Sequence, residues 1–442
     1  MIIKNEKLAI QGGNPTRKEP YHIHTTNIGH EEEEAVLKVM RSQHLSGFSA
    51  RPGNRFLGGE SVQSFETELC NSFNVSNAVT VNSATSGLHC ALYAVGVRAG
   101  DEVITSSFTM SATASAIAMC GATPVFCDIE DRTFGIDSEK VRDLITEKTK
   151  AILAVNIFGH GASLDKLKNI ADEHNIILVE DSAQAPLIDF KDKLCGLHGD
   201  IGVFSLNYHK AIQTGEGGFA ITNDSLYADR MRYLRNHGEV VIGPANRLDM
   251  IDMIGYNYRM TEIESAIGEV QLKKLRDFNS ARKSLALSMT AKMKDYDFLI
   301  GPIIEDDCDH GFYLFPIKYK EDSIGVSREL FVKAMQAEGI AIGYGYVLPV
   351  HLQPIYQLHM QNIYSDYKGF GLESLQSSSD LSFNDSVDYR RGICPITEKM
   401  HFKEIMTTDI CKYPNTEREV DEFFAAVDKL VKNLDKLKSL EN

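Results

Sequence analysis

The chain predicts an α/β fold: a mainly parallel, doubly wound sheet in a large domain, then a smaller α+β C-terminal domain. Two observations carry this. Short apolar runs rich in Val, Ile and Ala alternate with helix-length amphipathic stretches through most of the chain. Those runs are mainly apolar and do not alternate regularly with polar residues, as suits strands covered on both faces by helices.

The elements follow in order. A helix is expected from Gly29-His30, where Glu31 to Glu34 favour the positive end of a helix dipole. Residues 44–53 have no periodicity and read as a long loop. Leu57–Glu60 then leads into a helix with Val62, Phe65 and Leu69 on one stripe. Ala78–Val81 reads as a strand before a helix that starts near Thr85. Asp101–Thr105 and Thr123–Cys127 bracket a Ser/Thr/Ala-rich helix, and Lys150–Val155 and Ile176–Val179 bracket a helix over Leu164–His174. A helix from Met260 to Leu275 is expected as the elbow, with a second helix over 279–294. The boundary is therefore set between a large domain with an N-terminal arm (1–275) and a small one (276–442). Ser365–Asp388 reads as a mobile insertion, and a helix over Glu417–Leu437 closes the chain.

Composition narrows the partners. A net charge of −15 gives no basic footprint for nucleic acid or anionic lipid. The stretch from Ile104 to Cys127 is broken by Gly121-Ala-Thr-Pro124 and is expected as helix and strand, not a membrane span. Residues 1–6 show no apolar signal segment. Eight cysteines are scattered without a CxxC pair, which suggests free thiols in a cytoplasmic protein and neither a disulfide framework nor a zinc site.

The candidate site centres on Phe204 to Gly218. Lys210 lies there on an irregular segment between strand signals, beside glycines that permit close backbone approach. A partly desolvated lysine can form a Schiff base with a carbonyl. Asp181 ends the apolar run Ile176–Val179 and could pair with the ring nitrogen of pyridoxal phosphate (PLP). Asn82-Ser-Ala-Thr-Ser-Gly87 joins a strand to a helix, an anion site by geometry. Phe108 could stack on a ring, Gln184 could reach a ring oxygen, and Ser205 and Asn207 could reach phosphate oxygens. Singly, each has a plainer reading: Lys210 as a surface lysine, Asp181 as a helix cap, Phe108 as one more core aromatic.

Together these stretches resemble the DegT/DnrJ/EryC1/StrS family. The matching motifs are Asn82 to Gly87, Val179-Glu-Asp-Ser-Ala-Gln-Ala185, the Lys210 segment with Gly215-Glu-Gly-Gly218, and Gly255-Tyr-Asn-Tyr-Arg-Met-Thr-Glu262. The family comprises PLP-dependent sugar aminotransferases of fold type I. The resemblance implies that Lys210 links covalently to the cofactor, Asp181 faces its pyridine nitrogen, Gln184 lies near the ring oxygen and Phe108 stacks. It assigns the phosphate to Thr85, Ser86 and Ser205. It further implies a homodimer in which Asn257 reaches the neighbouring subunit's phosphate. Leu206 and Asn207 stand where members often carry Phe and His. Dehydrating members carry histidine at the linking position, so Lys210 favours transamination.

The expected reaction moves an amino group from glutamate or glutamine to a keto-sugar, nucleotide-linked in the main reading, by ping-pong steps. Leu8 to Arg17 resembles a branch acting on keto-cyclitols, and a catalytically silent regulatory relative stands as the third reading. Residues 44–59, His310–Phe315 and Tyr344–His351 are candidate substrate-contacting segments.

Overall fold

The computed structural model describes residues 7–21, 28–238, 241–242, 247–359, 383–384 and 386–441. A seven-stranded sheet forms the larger unit. Its strands are β1 (Asn77–Val81), β2 (Glu102–Ser106), β3 (Thr123–Cys127), β4 (Thr149–Val155), β5 (Ile177–Asp181), β6 (Ile201–Ser205) and β7 (Gly218–Thr222). They lie in the order β1-β7-β6-β5-β4-β2-β3, and only β7 runs against its neighbours. Every residue of β2, β3, β6 and β7 is buried, which explains why those runs lack a polar alternation.

Helices cover both faces. α1 (His30–Ser42), α2 (Glu60–Phe73), α3 (Ala84–Ala94), α4 (Ser111–Met119), α5 (Leu164–His174) and α6 (Ser225–Arg235) belong to this unit. The helix over Leu164–His174 has the bounds the periodicity predicts. On one face Leu88, Leu92, Val179 and Val203 pack together; on the other, Ile152, Leu167, Ile170 and Leu178 do so.

The expected break between two helices near Leu275 is absent. One 32-residue helix, α7 (Glu262–Met293), runs through it, about 48 Å at the usual helical rise. Its start is capped reciprocally by Thr261 and Glu264. The polar pair that interrupts the pattern is satisfied in place, with Asn279 donating to the Pro186 carbonyl and Ser280 to that of Arg276. Leu272, Leu275 and Phe278 of α7 enter the large unit's core, while Leu285, Met289 and Met293 enter the small unit's.

The small unit holds an antiparallel sheet of β8 (Leu299–Ile300), β9 (Phe315–Tyr319), β10 (Gly343–Tyr344) and β11 (Ile405–Thr408), ordered β8-β9-β11-β10. α8 (Arg328–Ala337) and α9 (Glu417–Lys432) pack on it through Phe331, Met335, Phe423 and Val427. The expected closing helix ends early, at Lys432, and a short turn of helix over Leu434–Lys438 follows. Residues 7–21 pack on this small unit: Leu8 joins its core, Ala9 and Thr16 donate to Glu338, and Arg17 pairs with Glu419 and Glu422. Most of the expected insertion over 365–388 lies outside the described residues. Among those described, no helix is long and apolar enough to cross a membrane.

Glu180 on β5 binds the loops around the site. Fully buried, it accepts from the amides of Gly196 (2.6 Å), His198 (2.8 Å) and Gly199 (2.7 Å) and from the Asn156 side chain (3.0 Å). Glu180→Gln replaces an acceptor by a donor against these N–H groups. It is expected to destabilise the fold by about 2–3 kcal/mol, read as a lower urea midpoint at unchanged slope.

Candidate active site

Strands β1, β4, β5 and β6 end at one side of the sheet, and a cavity opens beyond their carboxyl ends. Asp181 closes β5, and strand alternation turns it toward the cavity while Glu180 faces the loops behind. Ser205 closes β6. A loop then carries Asn207, His209 and Lys210 into the cavity wall, pinned by Leu206 and Tyr208 amides donating to the Gly217 and Gly215 carbonyls. Gly217 and Gly218 allow this: a Cβ on Gly218 would fall 2.7 Å from the Ala84 nitrogen at the start of α3.

Lys210 is buried, and desolvation lowers its ammonium pKa to about 8, with the Asp181 charge opposing. Its Nζ lies 4.5 Å from the centroid of the Tyr313 ring. Asp181 is shifted upward by burial, against hydrogen bonds from Thr113 Oγ1 (2.8 Å) and the Ala183 amide (3.2 Å) and the field of Lys210. His209 beside them is pushed down to about 4, first by burial and then by Lys210, so its ring is neutral.

At the other end of the cavity Ser83 caps α3, accepting from the Ser86 amide at 3.1 Å, and Thr85 lines the wall. Gln184 is held at both ends: Oε1 accepts from the Phe158 amide (2.6 Å) and Nε2 donates to the Tyr346 hydroxyl (3.0 Å). Asn207 donates to Glu216 at 2.9 Å, while its buried Oδ1 has no partner among the described residues.

Three of the expected site residues do not line this cavity. Phe108 does not line the cavity; its ring is fully buried among Phe134, Phe158 and Tyr346, 5.4–6.3 Å between centroids. The side chain at the wall is Met110, two residues on and 54% exposed. Ser86 is also withdrawn, because its hydroxyl donates inward to Asn82 Oδ1 at 2.6 Å. Asn257 sits outside this cavity, accepting from Arg259 Nε at 2.8 Å. Sequence reasoning missed Thr113 and Met110, one of four Thr and one of two Met in the Ser/Thr/Ala-rich stretch from Ile104 to Cys127. Tyr313 and Tyr346 fall inside segments singled out for substrate contact.

A model of the DegT/DnrJ/EryC1/StrS aminotransferase family matches residues 29–368. The chain belongs to this family. Among its relatives is the spore coat polysaccharide biosynthesis protein SpsC of Bacillus subtilis, 32% identical over 83% of this chain and 95% of SpsC. GDP-perosamine synthase of Caulobacter vibrioides is 35% identical over 74% of this chain and 84% of its own length. Among solved structures, DesV of S. venezuelae in complex with a ketimine intermediate superposes with a TM-score of 0.75. The two are 26% identical, covering 91% of this chain and 94% of DesV. The fold is that of the family's PLP-dependent aminotransferases, and the protein is an enzyme of that kind.

The residues present fit that cofactor's chemistry. A lysine whose proton is loosened by burial suits carbonyl capture, and a buried carboxylate lacking a full counter-charge suits a protonated ring nitrogen. A helix N-terminus with Ser83, Thr85 and Ser205 suits a phosphate.

The sign of the Lys210 shift has a consequence for stability. Holding the charged amine in the fold is costly below about pH 8, and the cost fades as pH climbs toward 10.5. In cofactor-free protein, Lys210→Met is expected to raise the urea midpoint near neutral pH and to lose that advantage in alkali. Identical midpoints near neutrality would contradict burial of a charged Lys210.

Proposed function

We propose that this enzyme aminates a nucleotide-linked keto-sugar, using glutamate or glutamine as donor, with PLP held at Lys210. The observation that carries the reading is the desolvated Lys210 amine facing buried Asp181 across a cavity with an anion-binding end. When bound, PLP supplies the carbonyl that captures the amine and a ring that takes up the electron pair released at the donor's Cα.

The chain's own residues do the rest. Asp181, oriented by Thr113, holds the proton on the ring nitrogen. Freed from the cofactor, Lys210 Nζ would carry the proton from the donor's Cα to the cofactor's former carbonyl carbon, and in the second half-reaction it would carry one from that carbon to the former keto carbon. Ser83, Thr85, Ser205 and the first turn of α3 hold the phosphate. Gln184 and Tyr346, hydrogen-bonded to each other, form the wall beside them. Donor leaves as keto acid before the sugar enters, so kinetics are ping-pong.

The nucleotide-linked acceptor and a place in polysaccharide synthesis draw on two relatives, GDP-perosamine synthase and the spore coat polysaccharide biosynthesis protein SpsC. A keto-cyclitol acceptor is the second reading, favoured by the opening Leu8 to Arg17. A catalytically silent role sits poorly with an intact Lys210 and Asp181 pair. The active unit is a homodimer in which Asn257 serves the partner's phosphate. Supporting this, Ile251 and Ile254 just upstream are 74% and 61% exposed, an apolar face suited to a second copy. The eight free cysteines suit a reducing cytoplasm.

Absorption spectra with and without donor test the reading. Glutamate or glutamine is expected to bleach the cofactor band, keto-sugar to restore it, and borohydride to fix the label on Lys210. A protein that takes up PLP but ignores both donors would falsify the donor assignment. Lys210→Ala is expected to bind PLP without a covalent link and to lose at least about 10²-fold in turnover. Asp181→Asn should keep the covalent link yet slow proton transfer by a similar factor, measured in single-turnover half-reactions.

A further inference from the structure

A second group of chemically able side chains lies where the large and small units meet. His160, Glu305 and Cys308 each turn one ligand atom toward a common point, and these atoms lie within 4.8 Å of one another. We propose that they bind a divalent cation of the zinc class: an imidazole nitrogen, a carboxylate oxygen and a thiolate, with water in the fourth position.

The donor set and its support fit that ion. In a tetrahedral site with metal–sulfur near 2.3 Å and metal–nitrogen near 2.0 Å, those two ligand atoms stand about 3.5 Å apart. The present spacing, within 4.8 Å, must close by about 1 Å when an ion binds. His160 is oriented by a hydrogen bond between Nδ1 and the Gly161 carbonyl (2.9 Å), and its Nε2 accepts a long hydrogen bond from the Glu305 amide (3.4 Å), which the ion would replace. A fixed tautomer of this kind is what metal-ligating histidines require.

Both halves are anchored before any ion arrives. The His160 loop is tied by the Asn156 side chain, which accepts from Ala162 (3.1 Å) and donates to Glu180 (3.0 Å). Cys308 forms a backbone bridge with Phe190, and the next residue's amide donates to Asp189 at 2.7 Å. On binding, the Cys308 thiol gives its proton to solvent and the thiolate takes its place on the metal.

The ion would clamp two loops 145 positions apart in the chain. The same pairing continues through Gly311 to Gly159 (2.8 Å) and Tyr313 to Phe158 (2.9 Å), ending at the ring that faces Lys210. Its role is to fasten the small unit's entry loop beside the active site. The site stands or falls independently of which sugar is aminated.

The test uses tag-free, full-length holoenzyme, stripped with EDTA and titrated with cobalt(II). Expected are one equivalent bound per chain, tetrahedral visible bands with a thiolate-to-metal transition, displacement by zinc, and a higher melting temperature with metal. Cys308→Ser should keep the metal-free melting temperature, abolish the thiolate band and weaken binding by at least about tenfold. Glu305→Gln, on the same half-exposed loop, should weaken binding without removing the band. Failure to saturate, or equal affinity in wild type and Cys308→Ser, would overturn the site.

Discussion

Lys210 and Asp181 are buried in one cavity, and burial works against the charge on each. The lysine is driven toward the neutral amine, while the carboxyl is driven toward its protonated form. Each partly restores the other's charge. Such an arrangement stores a cost that the folded chain must offset elsewhere, and the ring nitrogen proposed to sit beside Asp181 would relieve it.

Strand β5 carries two adjacent acids that face opposite ways. Glu180 gathers three backbone amides and the Asn156 side chain behind the sheet, fixing the loops whose front surfaces line the cavity. Asp181 then presents its carboxylate at a position determined by that scaffold and by Thr113. Since one-residue slippage would exchange their faces, register along β5 is under strong constraint. The aromatic cluster of Phe108, Phe134 and Phe158 fills the space behind Tyr346 and shields the site from that side.

Helix α7 relates the two units. Its first turns pack on the large sheet and its last turns on the small one, so neither core is complete without it. The small unit in return supplies Tyr313 and Tyr346 to the cavity. The loop carrying Tyr313 is held to the large unit by backbone pairing at Gly159 and Phe158, next to His160, Glu305 and Cys308.

Much of this was legible in the chain. Apolar runs without alternation signalled buried parallel strands, and Lys210, Asp181, Thr85, Gln184, Ser205 and Asn207 were named from local motifs and do converge on one cavity. Local pattern determines such features because strand burial, helix capping and glycine turns depend on near neighbours in sequence. The misreadings share an opposite cause. Phe108 and Met110 differ in which way a turn aims them, Ser86 in which acceptor its hydroxyl finds, and α7 in whether Asn279 meets a carbonyl from Pro186. The grouping of His160 with Glu305 and Cys308, and the placing of Tyr313 over Lys210, join residues far apart in the chain. Only tertiary packing decides such contacts, because no local energy term depends on them.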